Sequence, residues 1–186
     1  MKATFLFLIV ILSYSTVKSQ QIIEVNEDSI AFDFMTSQVL LHNFPDACGM
    51  FASGVVYKDT SLANNYILLF SYSTPSGATA LSKNDRVLIS FVDGTTFEYY
   101  NSRNGSEEDA KDTLQHFSII TGSKLIKKMR CVLVYEIKFI TSSYNHTVEV
   151  SNEYKLWFSY VADLLIRTSN DYYDKIVASL SGIKDK

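Results

Sequence analysis

The sequence predicts an α+β fold: a mainly antiparallel sheet with a C-terminal amphipathic helix packed on one face. Three observations carry this. Runs of β-branched and aromatic residues are bounded by turn formers at Met50 to Tyr57 and at Tyr66 to Tyr72. The dipeptide Asp93-Gly94 separates two alternating segments, the pattern of a tight hairpin. A stripe of Tyr154, Trp157, Phe158, Val161, Leu164 and Leu165 recurs at helical spacing near the C-terminus. With 186 residues, 47% of them apolar and 20% charged, the chain has the length and composition of one globular domain, and no repeat or low-complexity linker divides it.

In chain order, the first element is a predicted signal peptide over residues 1–19. Lys2 supplies a positive start, and Phe5 to Leu12 is an unbroken run of eight apolar residues. Val17-Lys18-Ser19-Gln20 then places small or β-branched residues at the positions read by a signal peptidase. The apolar run is about half the roughly 20 residues needed to span a bilayer, so a secretory signal fits better than a membrane anchor. Residues 20–186 form the expected single α+β domain. Without Lys2 and Lys18 the domain holds 15 basic and 20 acidic residues, a formal charge of −5.

Ile22, Ile23 and Val25 open the domain as strand or loop, and Asn43-Phe44-Pro45-Asp46 supplies a turn. Met50 to Tyr57 and Tyr66 to Tyr72 read as strands. In the hairpin Arg86 to Tyr100, Val87, Ile89 and Phe91 alternate with their neighbours, Asp93-Gly94 suits a type I′ turn, and Thr95, Phe97 and Tyr99 return the chain. A short helix is expected over Ser106 to Phe117, with Ser106 as cap, acidic Glu107, Glu108 and Asp109 in the first turn, and Ala110, Leu114 and Phe117 on one face. Met129 to Thr141 reads as a long central strand. The amphipathic helix follows from Asn152 to Arg167, and a last weak helix covers Asp171 to Leu180.

The chemistry is constrained by what is missing. A formal charge of −3 and a pI near 5.6 give no electrostatic case for nucleic acid. The seven Gly never fall into a dinucleotide or phosphate-loop spacing, and no HExxH, CxxC or EF-hand pattern occurs, so no cofactor and no metal is expected. No apolar run of membrane length follows the leader, so no membrane span is expected in the mature chain. Cys48 and Cys131 form one candidate disulfide if the protein is exported. The sequons at Asn104 and Asn145 are what the Asn, Ser and Thr content yields by chance.

Two functional readings stand side by side. The preferred one is an exported, non-enzymatic binding or accessory protein with a glycan or protein partner. Its candidate binding residues are Tyr99 and Tyr100, as flat rings, and the basic cluster Lys124, Lys127, Lys128 and Arg130, as anion-capturing groups. The alternative is a small hydrolase or thiol enzyme in which His42 activates Cys48, with Asp46 in the same loop, since a thiolate needs a base within hydrogen-bond reach.

The leader ending Ser19-Gln20, the segment from Arg86 to Tyr100 (RVLISFVDGTTFEYY) and the segment from Ser123 to Ile137 (SKLIKKMRCVLVYEI) resemble small secreted proteins of Bacteroidota. The likeness covers about residues 85–165. It implies a periplasmic or exported α+β protein and transfers no functional residue.

Overall fold

Alternating burial organises both sheets. In this computed structural model, residues 22–27, 31–36, 39–42, 48–73, 80–105, 114–152 and 154–181 are described. The first sheet takes its strands from β1 (Ile22–Glu27), β2 (Ala31–Thr36), β3 (Val39–His42), β4 (Cys48–Tyr57) and β5 (Asn65–Ser73). Between β5 and the last strand of that sheet the chain leaves to make the hairpin β6 (Arg86–Phe91) and β7 (Thr96–Tyr100). It returns as β8 (Leu114–Thr121). Helix α1 (Ser123–Cys131), strands β9 (Val134–Ile140) and β10 (Asn145–Glu149), and helix α2 (Lys155–Ser181) complete the described elements.

The first sheet runs β1-β2-β4-β5-β8, with β3 also paired to β4; the second runs β10-β9-β6-β7. All pairings are antiparallel. At the break between β2 and β3 the buried Thr36 hydroxyl accepts the Ala52 amide at 3.1 Å, filling a gap in the ladder with a side chain.

On β4 and β5 the even-numbered residues are buried: Cys48, Met50, Ala52 and Val56, then Tyr66, Leu68, Phe70 and Tyr72. This inner face meets two partners. The second sheet contributes Phe139, whose ring stacks on Tyr72 at 4.1 Å and meets Phe70 at 5.7 Å and Phe117 at 5.5 Å. Helix α2 lies beside the rest: Tyr172 stacks on Phe32 at 4.6 Å, and the Tyr66 hydroxyl donates to Ser169 Oγ at 3.2 Å. The expected α+β class, antiparallel sheet and packed C-terminal helix are therefore present.

Several local expectations change. The 27 residues from Lys155 to Ser181 form one helix in place of two. Continuity through residues 168–170 is supported by Ser169, which is buried and takes its hydrogen bond from Tyr66 instead of capping a helix end. Residues 106–113 of the expected helix Ser106 to Phe117 lie outside the described residues, but Leu114 onward is strand β8. There Gln115, Phe117, Ile119 and Thr121 point inward at period two, so two buried polar side chains disguise the alternation. The expected strand Met129 to Thr141 begins only at Val134; Met129 to Cys131 end helix α1, which buries Leu125, Ile126 and Met129.

The hairpin is present with a different turn. Gly94 N donates to Phe91 O at 2.9 Å, and Phe91 N to Thr95 O at 2.9 Å, leaving a three-residue loop. Gly94 has φ +83°, and no other described residue has positive φ, whereas a type I′ turn needs it at both central positions. The geometry is that of a type I turn closed by a left-handed glycine, which Gly94 allows because it has no Cβ.

Candidate functional site

The cysteines are free thiols, which rules against the candidate Cys48–Cys131 disulfide. Cys48 has no exposed surface on β4, while Cys131 is exposed at the end of α1, so one sulfur sits in the core and the other faces solvent. His42 is the register partner of Cys48 across β3 and β4. The side chain of His42 and all of Asp46 lie outside the described residues. Burial pushes the Cys48 thiol up to about 12, the reverse of the lowered pKa that makes a cysteine nucleophilic.

The aromatic and basic candidates become neighbours, yet most are engaged within the fold. Tyr99 is half-buried and its hydroxyl accepts from Thr121 Oγ1 at 2.8 Å; Tyr100 points the other way and is 60% exposed. Lys124 lies over the Phe97 ring at 5.7 Å, and Phe97 stacks on Tyr99 at 6.5 Å. Lys128 pairs with Asp93 in the hairpin loop, and Arg130 Nε with Asp163 Oδ1 at 3.0 Å on α2. Lys127 is exposed. The run of four charges is largely the outer side of a short helix tied to its neighbours.

Between the sheets lies a buried polar cluster. The Tyr144 hydroxyl is 2.9 Å from Gln115 Oε1 and 3.0 Å from the Tyr72 hydroxyl. With one proton, it donates to Gln115 and accepts from Tyr72. Desolvation, then the bond to Tyr144, pushes the Tyr72 hydroxyl far up, and desolvation also raises Tyr144. The buried Asp85 carboxylate accepts backbone amides from Ser82 at 2.7 Å and Ser142 at 3.0 Å, fastening two loops. These groups satisfy one another, as buried polar atoms must, and leave little for a ligand.

The feature that packing does not account for is the outer face of the first sheet. Odd-numbered residues of β4 and β5 point there, and the registers lay them in rows. One row is Ser118–Leu69–Phe51; the next is Ile120–Ile67–Ser53–Met35. Small Ser53 and Ser118 stand among long apolar neighbours, so the surface dips. The result is an open pocket of about 230 Å³ lined by Met35, Phe51, Ser53, Ile67, Leu69 and Ser118, with Arg103 at its rim.

Arg103 reaches this place because Ser102 N donates to Ser118 O at 2.6 Å and Asn101 Oδ1 accepts Ser118 N at 3.0 Å, which bind the segment after β7 to the free edge of β8. In the row beyond, Ser71 Oγ is 2.8 Å from His116 Nδ1. A hydroxyl beside an imidazole begins a nucleophilic pair. However, no carboxylate among the described residues orients His116, and Ser71 is only 5% exposed between two paired strands.

The sequence reading missed this face, although a signal was there. Phe51, Val55, Ile67 and Leu69 make β4 and β5 apolar on both parities, the pattern of strands covered on both sides. The second sheet is more mixed: its outer face carries Thr96, Glu98, Glu136, Lys138, Thr147 and Glu149 together with Leu88, Tyr100 and Ile140.

Comparison of the chain with known protein families, with curated proteins and with solved structures finds no match. No helix among the described residues is long and apolar enough to cross a membrane.

Proposed function

We propose that this is an exported, non-enzymatic binding protein and that the outer face of its six-stranded sheet is the binding surface. The observation that carries this is the pocketed apolar face around Leu69, over which none of the described helices or strands packs, whereas the opposite face of the same strands is buried. Export rests on the leader at residues 1–19, in keeping with the resemblance to secreted Bacteroidota proteins; the mature chain then begins at Gln20. The thiol-enzyme alternative is disfavoured by the burial of Cys48 and its raised pKa.

A polarity-sensitive dye such as anilinonaphthalene sulfonate tests the surface. The native protein should enhance its fluorescence, and Leu69→Glu should abolish the signal while the circular dichroism stays native. Absence of dye binding by the folded protein, or a signal that survives Leu69→Glu unchanged, counts against the outer face. Intact mass of protein recovered from the envelope or medium tests export, and a chain still carrying Met1 counts against it.

A further inference from the structure

The outer face is polarised, and this selects a ligand. At one end stands the Arg103 guanidinium, whose side chain enters none of the hydrogen bonds or ion pairs among the described residues. Beside it lie the Ser71–His116 pair and a recess of only about 10 Å³, too small to take more than solvent. Away from Arg103 the surface is aliphatic and aromatic: Leu69, Phe51, Ile67 and Met35. By register two acidic residues also fall on this face: Asp33, paired with Val55 one row beyond Ser53, and Glu24, paired with Met35 at the far end of the Ser53 row. A cation at one end and an anion near the other fix the direction of any charged guest.

We propose that this pocket holds a free medium-chain monocarboxylate, with its head group on Arg103 and its tail across Leu69, Phe51 and Ile67 toward Met35. The proposal rests on the outer face being the binding surface. The planar guanidinium offers a carboxylate two parallel N–H donors, a match that a lysine or a hydroxyl does not give. From β8 across β5 and β4 to β2 are three strand spacings of about 4.8 Å, or about 14 Å, the reach of a medium-length alkyl chain. A pocket of about 230 Å³ takes part of such a chain and leaves the rest against the open sheet. In a protein of formal charge −3, a cation with no ion-pair partner among the described residues, set beside an apolar pocket, is the complement of an amphiphile with a negative head.

Calorimetric titration of the purified protein with dodecanoate and with dodecyltrimethylammonium, both below micelle formation, separates head from tail. Dodecanoate should bind about tenfold more tightly than the cationic analogue, the size expected of one charge-assisted contact. Arg103→Gln should erase this preference while tail binding remains. Ser53→Phe, which fills the dip without adding charge, should weaken both ligands.

Equal affinity for the two amphiphiles overturns the carboxylate assignment and leaves the apolar binding surface standing. Failure of both to bind overturns the two together. Binding to anionic phospholipid vesicles without binding to monomeric dodecanoate also overturns the proposal, because the face would then be reading a membrane. The folded state of each variant is checked by its thermal unfolding midpoint, so that a loss of binding is not a loss of structure.

Discussion

Replacing Gly54 with alanine probes the tightest contact between β2 and β4. Gly54 is the register partner of Phe34, and the ring lies directly over it. A Cβ at Gly54 would fall 2.3 Å from Phe34 Cζ, 2.8 Å from Cε1 and 3.0 Å from Cε2. The ring cannot yield cheaply: Phe34 is 2% exposed, and Tyr172 of α2 lies 6.0 Å away, itself stacked on Phe32. Overpacking of this kind costs about 1–3 kcal/mol, and a 2.3 Å approach to a confined ring belongs at the upper end. Against it stands the lower entropy of the unfolded alanine chain, about 0.4–1 kcal/mol. The net expectation is a loss of about 1–2 kcal/mol, or about 2–8 °C in melting midpoint for a chain of this size.

Equilibrium urea unfolding measures the effect, with an unchanged slope showing that only stability moved. Phe34→Leu supplies the control, since it removes the ring that the new methyl would meet. In that background Gly54→Ala should be close to neutral, giving a coupling of about 1–2 kcal/mol between the two sites. A Gly54→Ala protein as stable as the parent, or a penalty that persists undiminished beside Phe34→Leu, would refute the reasoning.

Three other outcomes are expected. Alkylation of the native protein near pH 8 should modify Cys131 and spare Cys48, with two labels by mass only after unfolding; a reactive Cys48 would contradict both its burial and its pKa of about 12. The hydrogen bond from Lys128, then the Thr95 amide, holds the Asp93 carboxyl at about 2, so its contribution is fully present above the ordinary carboxyl value near ~4 and is lost as pH falls from there through about 2. Asp93→Asn should therefore lose less stability than the parent between pH 5 and pH 2, by urea midpoint, and the difference should be small because the pair is exposed. Phe158→Ala should cost about 3–5 kcal/mol as a full core truncation, and the half-buried Trp157→Ala distinctly less; equal losses would place the helix face wrongly.

How far the sequence speaks depends on whether local pattern and tertiary environment agree. In the hairpin they agree: β-branched residues alternate, Gly94 supplies the left-handed position, and the registers from Arg86–Tyr100 to Ser90–Thr96 follow. Only the loop length escapes, because a two-residue and a three-residue turn both use Asp-Gly. In α1 they disagree. The helix starts at Gly122 with no side-chain cap and no acidic residue in its first turn, so the usual start signals are missing and its lysines read as an isolated cluster. In β8 the inward positions include Gln115 and Thr121, whose burial depends on Tyr144 and Tyr99 from distant segments. No local window contains those partners. Arg103 was missed for the same reason, since its place at the pocket depends on Ser102 and Asn101 bonding to β8.

The two outer faces of this molecule make the functional argument from within. Both belong to antiparallel sheets of one chain under one solvent, and in such sheets the uncovered side is ordinarily polar. The second sheet comes nearer to this: Arg86 pairs with Glu98 at 2.8 Å on its outer side, and threonines, glutamates and a lysine there outnumber the apolar Leu88, Tyr100 and Ile140. The first sheet departs at β4 and β5, whose odd-numbered positions on the outer face include Phe51, Val55, Ile67 and Leu69. There Phe51, Ile67 and Leu69 are covered only in part and keep some apolar surface open to solvent. On the proposed reading a guest completes their cover, and Arg103 at the rim selects one with a negative head group.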